Sequence, residues 1–429
     1  MSKQNRPHVV VLGGGFGGLA AVRALRKAPV DVTLVDRNAY NVFQPLLYQV
    51  ATAGLNPGDI TYFLRSVHAR QANMRFSKGA VRSLDTTTRT VRLDSDVVLS
   101  YDFLIVATGM TTNYFGIPGA DEHAFALYTR DQALAVRDRM FTGLESAVRR
   151  GQPHDLRVVV VGGGATGVEM AGTLAELRNN GLGTLYPELD PDRAHITLVE
   201  MAPQLLTPFG ARSQRYTAKA LKKRSVQLRL STTVEEVRPD GVIVDGGELI
   251  PAGLVIWASG IKAPEDVAEW GLPQGKGGRI EVDADLRVRG FDGVFAVGDI
   301  ASTPEPLPQL AQPALQSGRH AGRQVARLAA GEATEPFAYV DKGIMATIGR
   351  SSAVAEITHL PTITGVLAWA IWLGIHIVSL LSYRNRVATI VNLSSRYLSW
   401  PWSFNAIVGE VRTPREADVG GGPTTKVGA

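Results

Sequence analysis

"RVVVVGGGATGVEMAG", Arg157–Gly172, follows a near-copy of itself, "HVVVLGGGFGGLAAVR", at His8–Arg23. Each copy opens on a run of Val and Leu that reads as a buried parallel strand, and each closes on a helix-like stretch. Between them glycines fall at the first, third and sixth positions: Gly13, Gly15 and Gly18, then Gly162, Gly164 and Gly167. In such a set one glycine permits a tight turn, one lets backbone approach a pyrophosphate, and one lets helix pack on strand. The phosphates then meet unpaired N–H groups at the helix start. An isolated match is weak evidence, because a plain glycine-rich turn gives the same letters. Here the context recurs. "VDVTLVD" ends on Asp36, 18 positions after Gly18, where a carboxylate reads a ribose hydroxyl. "HITLVE" ends on Glu200, 33 positions after Gly167, and "RNNGLGTLYPELDPDRA" accounts for the longer interval as an insertion.

Two cradles imply two dinucleotides. The economical pair is a flavin that stays and a nicotinamide that visits. The residues assigned to FAD are Gly13, Gly15, Phe16, Gly17, Gly18 and Asp36, with Ala107, Thr108 and Gly109 from the closing phrase "YDFLIVATG". Those assigned to NADH are Gly162, Gly164, Thr166, Gly167 and Glu200, with Gly260 from the parallel phrase "AGLVIWASG". Glu200 is followed by Met201, Ala202 and Pro203, so no cation meets a 2′-phosphate; NADH is favoured over NADPH. "GVFAVGD" delivers Gly298 and Asp299 to a loop. An Asp helix cap explains that ending. With the first cradle assigned, the preferred reading is a return of the chain to the flavin domain, with Asp299 on the ribityl–pyrophosphate region.

The 429 residues suggest two or three domains, with 45% hydrophobic and 20% charged residues, as in an ordinary globular core. The net charge of +5 is spread along the chain, and no basic block suggests nucleic acid. Cysteine is absent, which excludes a disulfide relay, sulfide oxidation through thiols and thiolate-held iron–sulfur clusters. The eight histidines show no metal-type pairing, so no metal is expected. The few residues before the first strand are too short for a signal or transit peptide, so the amino terminus reads as cytosolic.

The fold class is α/β, with two Rossmann-type dinucleotide-binding domains and a carboxyl-terminal helical region. The expected divisions are an FAD domain of 1–115 and 261–345, an NADH domain of 116–260, a membrane-association region of 346–409 and a disordered tail of 410–429. "PQLAQPALQSGRHAGRQVARL" patterns as a helix after Pro313, with Gln312 and Gln316 on one face; a solvated polar face is the plain alternative. "TITGVLAWAIWLGIHIVSLLSY", Thr362–Tyr383, carries no formal charge, and "RNR" follows it. A spanning helix, an interfacial helix and a helix between subunits compete. Ser, Thr, Gly and His along it favour the membrane surface or a subunit contact.

With these phrases assembled, the chain resembles the type II NADH dehydrogenases, single-subunit, non-proton-pumping NADH:quinone oxidoreductases. The resemblance covers roughly residues 6 to 405. It rests on both cradles, "FQPLLYQVATAGL" (Phe43–Leu55), "AQPALQSG" (Ala311–Gly318), "DKGIMATIG" (Asp341–Gly349) and the tryptophan-rich region with "YRNR" (Tyr383–Arg386). It implies a glutathione-reductase-like FAD/NAD(P) architecture, a peripheral, monotopic anchor on the cytoplasmic face of the membrane, and a homodimer. It implies that Gln312 and Gln316 border a quinone, menaquinone or ubiquinone, and that Gln49 and Lys342 lie close to the flavin. It places Glu169 near the nicotinamide; from the sequence alone Glu169 is a first-turn helix acid favoured by the dipole. Pro313 and Ser317 depart from many relatives, and no calcium-binding insertion is present. The expected reaction passes hydride from NADH to FAD and two electrons onward to quinone; the donor of the quinol's protons is not visible. A cytosolic reductase of a ferredoxin- or rubredoxin-type protein and a non-catalytic NADH-binding redox sensor are the alternatives.

Overall fold

A computed structural model of the chain describes residues 6–150, 156–398, 409 and 411–418. In chain order the first elements are β1 (His8–Leu12), α1 (Phe16–Ala24), β2 (Asp31–Asp36), α2 (Leu47–Ala51), β3 (Met74–Lys78) and β4 (Phe103–Val106). Next come β5 (Ala124–Ala126), α3 (Arg130–Arg150), β6 (Leu156–Val161), α4 (Ala165–Glu176), β7 (Ala194–Val199), α5 (Ala211–Lys223), β8 (Val226–Arg229) and β9 (Leu254–Trp257). The chain continues through β10 (Val294–Ala296), α6 (Ala311–Ala329), β11 (Ile344–Thr347), β12 (Ala353–Glu356), β13 (Ile363–Thr364), α7 (Val366–Ser379), α8 (Tyr383–Leu398) and α9 (Pro414–Asp418).

These elements form two compact units, one of residues 1–41, 62–111 and 261–342, the other of 42–61, 112–260 and 343–429. Residues 42–61, with Gln49, group with the second unit; the sequence division had put them in the first. The first unit is built on a parallel sheet in the order β10-β4-β1-β2-β3. A parallel strand covered on both faces is apolar throughout rather than alternating, and Val9, Val10, Val11 and Leu12 are all fully buried. Burying each such side chain contributes about 1.5–3 kcal/mol.

The second unit carries a parallel sheet in the order β5-β9-β6-β7-β8. Four consecutive strands, β9-β6-β7-β8, repeat the order β4-β1-β2-β3 of the first sheet. Only the edge strand differs in origin: β10 arrives late in the chain, β5 early. The insertion after α4 continues that helix as a wider turn over Leu177–Leu182. Within it, Arg178 donates to the Ala194 and Ser225 carbonyls at 3.2 and 3.1 Å, tying the turn to the sheet.

The carboxyl-terminal part of the second unit is an antiparallel sheet of β11, β12 and β13 with α7 laid against it. Ala353, Ala355 and Ala368 form the contact, small enough for helix and sheet to approach closely. The apolar run at 362–383 is therefore not one helix. It begins in β13, and Leu380 adopts an extended conformation that ends α7. At 14 residues α7 is about 21 Å long, short of the ~30 Å hydrocarbon core. Among the described residues no helix is long and apolar enough to cross a membrane. The tail expected to be disordered lies partly outside the described residues. Its described part departs from that expectation: α9 forms at Pro414–Asp418, Ala417 is buried, and Arg415 pairs with Asp121 at 3.2 Å.

Candidate active site

In the first unit, β1 turns at Gly13, whose φ of 101° suits glycine alone and whose N–H donates to the Val35 carbonyl at 2.7 Å. A β-carbon on Gly18 would sit 1.8 Å from the Gly13 carbonyl, so strand and helix touch there. Gly15, the N-cap of α1, has no side-chain cap and open space beside it. This leaves the helix N-terminus free to receive phosphate. Asp36 accepts from the Gly14 N–H at 2.6 Å and the Asn38 N–H at 2.7 Å, and Asn41 donates to the Gly14 carbonyl at 2.7 Å. Burial raises the Asp36 carboxyl above its ordinary value, with the two backbone N–H groups opposing.

The same unit closes over this cradle. Ala107 donates its N–H to the Leu12 carbonyl at 2.7 Å, placing Thr108 and Gly109 at the sheet's end. The Thr108 hydroxyl is buried with no partner among the described residues. Gly318 of α6 abuts Gly17, where a β-carbon would come 2.0 Å from the Gly17 carbonyl. Gly298 donates its N–H to Ser317 Oγ at 3.0 Å. Asp299 is pushed up to about 6 by burial, with Arg279 opposing. An uncapped helix end, an orphan hydroxyl and a half-buried carboxylate fit the diphosphate and polyol of a flavin dinucleotide. Asn41 and Ser317 were not found by sequence reasoning. Asn41 lies 27 positions from Gly14 and Ser317 lies 19 from Gly298, so neither pairing has a letter pattern of its own.

On α6 the two glutamines separate in role. The helix begins at Ala311, three residues before the expected start, with Pro313 in its first turn where no N–H is needed. Gln316 donates to the Val340 carbonyl at 2.9 Å and accepts from the Val340 N–H at 3.0 Å, so both ends of its amide hold the segment that leads to Lys342. Gln312 is half-buried and makes no such bond. Lys342 is exposed.

The second unit repeats the cradle. Gly162 has a φ of 111° and donates to the Val199 carbonyl at 2.8 Å; a β-carbon on Gly167 would sit 1.8 Å from the Gly162 carbonyl. Gly164 caps α4 without a side chain and faces open space, and Thr166 is exposed. Glu200 accepts from the Gly163 N–H at 2.5 Å and the Ala202 N–H at 2.7 Å. Gly260, with a φ of 70°, follows β9 on an exposed turn.

Glu169 is the fifth residue of α4 and so on its second turn, not its first. It is buried and accepts from the Thr347 N–H at 3.3 Å. Burial pushes its carboxyl up to about 8, with Thr347 and Trp372 opposing. Gln49 is buried in α2, whose Tyr48 ring lies 6.2 Å from Trp372. Among the described residues no cluster of His, Cys, Asp and Glu could hold a metal.

Residues 7–318 match the model of the pyridine nucleotide-disulphide oxidoreductases, and residues 342–399 match that of the NDH2 C-terminal domain. The type II NADH:quinone oxidoreductase NdhA of Mycobacterium tuberculosis is 38% identical over 405 residues, covering 90% of this chain and 86% of its own. A type II NADH:quinone oxidoreductase of Staphylococcus aureus is 30% identical over 374 residues, covering 83% and 91%. Among solved structures, NDH2 from Plasmodium falciparum in complex with NADH shares the fold with a TM-score of 0.84 at 20% identity, covering 93% of this chain and 99% of that one.

Proposed function

We propose a residue-level reading from one premise: the chain belongs to the type II NADH:quinone oxidoreductase family, within the pyridine nucleotide-disulphide oxidoreductases. It is a flavoenzyme that oxidises NADH and reduces a quinone. FAD, when bound, would supply the two-electron redox chemistry that links NADH to quinone. The balance is NADH, quinone and one proton from the medium giving NAD⁺ and quinol. With no cysteine in the chain, no disulfide takes part, whatever the wider family's name.

The observation that carries this reading is a pair of carboxylate-closed, uncapped helix N-termini in one chain. The N-terminus of α1, with Thr108 and Asp299, holds the flavin's diphosphate and polyol, and Asp36 takes its adenosine ribose. The N-terminus of α4 holds the diphosphate of NADH, and Glu200 takes the adenosine ribose. Glu169 borders the nicotinamide, and Gln49 approaches the flavin ring. Gln312 offers its free amide to the quinone head, while Gln316, through Val340, positions Lys342. Each protein group is set before substrate arrives, which is where positioning lowers a barrier.

The membrane side is read from the same chain. On α7, Leu367, Ile375 and Val378 are exposed, and on α8 so are Val387, Ile390 and Val391. On α8 the opposite face is fastened inward by Asn385, bonded to the Thr61 carbonyl, and Asn392, bonded to Asp59. An exposed apolar patch flanked by Arg384 and Arg386 suits a lipid surface on the cytoplasmic side. Leu367→Glu combined with Val391→Glu should abolish sedimentation with anionic vesicles and leave flavin bound. Unchanged vesicle binding, with a homodimer falling to monomers, would assign the face to a second copy instead.

Purified protein given NADH and a short-chain quinone tests the activity. Rapid quinone-dependent loss of NADH is expected. Loss only on adding a ferredoxin-type protein would favour the soluble reductase, and no loss would favour the sensor.

A further inference from the structure

Strand β12 divides its two faces between two helices. Side chains alternate across a strand, and Ala353 and Ala355 pack with Ala368 of α7. Glu356, on the opposite face, reaches α5. Its Oε1 accepts from Ser213 Oγ at 2.5 Å and from the Gly210 N–H at 2.9 Å, and its Oε2 lies 3.2 Å from the same N–H. Gly210 is the N-cap of α5 and brings no side chain of its own. Glu356, 146 positions further along the chain, binds this end of the helix from outside, where the helix dipole favours a negative charge.

The first turn of α5 in turn gathers the loop before it. Gln214 Nε2 donates to the Phe209 carbonyl at 2.6 Å, and the Phe209 N–H donates to the Leu206 carbonyl at 2.8 Å. This loop, residues 201–210, is the one that follows Glu200 out of β7. Its middle lies on the second cradle. The Leu206 N–H donates to the Gly163 carbonyl at 2.8 Å, and a β-carbon on Gly163 would meet Leu205 Cδ2 at 2.6 Å and Glu200 Cγ at 2.8 Å. Gly163 is also the residue whose N–H Glu200 accepts. Leu206 holds a φ of 53°, a left-handed conformation that persists in a residue with a side chain only where its surroundings impose it. The loop is thus pinned at its start by Glu200, in its middle by Gly163 and at its end by Glu356.

We propose that Glu356 is a positioning residue for NADH: from the carboxyl-terminal sheet it fixes the first turn of α5, and through that turn the 201–210 loop that closes on the adenosine end of the dinucleotide. It acts through the loop and not on the substrate. The inference rests on Glu200 taking the adenosine ribose. The sheet that carries α7 on one face then holds the nucleotide loop from the other. A second tie between the same segment and α5, Tyr216 Oη to Ser352 Oγ at 3.1 Å, lies further along the helix and supplies the control.

The test is steady-state kinetics of the FAD-loaded protein, with hydrogen exchange followed over residues 201–210. Glu356→Ala should raise the NADH KM about tenfold while kcat and the quinone KM hold, the mark of a lost binding interaction. It should also speed exchange at the Leu206 and Gly210 amides. Glu356→Gln keeps an acceptor oxygen and should bring the KM back to within about threefold of wild type. Tyr216→Phe should leave the NADH KM within about twofold. Should Glu356→Ala not fold, Ser213→Ala cuts the tie from the helix side and should raise the KM in the same direction; no rise there overturns the proposal. It is also overturned if Glu356→Ala leaves the KM or the loop's exchange in place, or if Tyr216→Phe raises the KM as much, which would mark a general loosening. If Glu200→Ala too leaves the NADH KM in place, the ribose assignment falls and takes the proposal with it. If Glu200→Ala raises the KM and Glu356→Ala does not, the proposal alone falls.

Discussion

In the first cradle Gly17 is buried, and a β-carbon there would lie 3.2 Å from Val297 Cγ2 and 3.4 Å from the Ala314 carbonyl. In the second cradle the same position is Thr166, exposed. The bends of the two cradles agree in detail, down to the carboxylate that takes the middle glycine's N–H and a second N–H two residues on. What differs is the cover. In the first unit β10 leads into Gly298–Asp299 and α6, which lie over the start of α1. In the second, the protein packs on α4 a turn or more later, at Glu169 and Gly172. A covered cradle suits a cofactor that stays, and an open one suits a substrate that must leave each cycle.

The largest effect should come from exchanging the distinguishing residues. Gly17→Thr forces a branched side chain against Val297 and the α6 backbone, an overpacking of about 1–3 kcal/mol. We expect the purified variant to lose most of its flavin absorbance. The reciprocal Thr166→Gly removes an exposed side chain and should leave the NADH KM within about threefold, since surface changes of this kind stay within ~0.5 kcal/mol. Equal damage from both would break the contrast between covered and open cradles.

The carboxylates sharpen the contrast next. Glu200→Arg removes the acceptor for the Gly163 and Ala202 N–H groups and brings a cation to the ribose edge. The kcat/KM ratio of NADPH to NADH should rise by roughly tenfold or more, from the ~1–3 kcal/mol attached to such buried polar contacts. Asp36→Asn keeps an acceptor oxygen toward Gly14, so flavin content should persist. An unchanged nucleotide preference in the Glu200 variant would remove Glu200 from the ribose.

Much of this was legible in the letters because two demands admit glycine alone: a positive φ at Gly13 and Gly162, and a helix pressed onto the turn at Gly18 and Gly167. Together these announce two turns, and the Val runs before them announce strands buried on both faces. Asp36 and Glu200 were legible because a strand end fixes their distance from those turns. Other features have no local signal. Residues 42–61 read as part of the first unit, but their partners are Thr61 with Asn385, and Asp59 with Asn392, more than three hundred positions away in sequence. The run at 362–383 looked like one long helix because hydropathy reads composition; it does not register that β13 claims Ile363 and that Leu380 turns extended. Gln316 read like Gln312 from spacing alone, and only the Val340 backbone separates them.

A last effect is the one that most directly contrasts the two helices. Counting from the first glycine, Glu169 of α4 stands where α1 has Ala20, and both are 8% exposed. Only the second helix therefore carries a buried acid, and that acid leaves a signature in stability. In the unfolded chain the carboxyl ionises near 4.5, and in the fold only near 8. Between those values the folded state binds the extra proton, so stability falls as pH rises through the window, by at most about 1.4 kcal/mol per pH unit, and levels off above it. Glu169→Gln keeps the shape and abolishes the titration. Its Tm relative to wild type should rise from pH 5 to pH 8 and then hold constant. Because both proteins retain His376, which burial pushes down to about 4, its own opposite pH dependence cancels in the difference. A Tm difference that stays flat across this range would mean that Glu169 is ionised in the fold, and that the second cradle's helix differs from the first only in its cover.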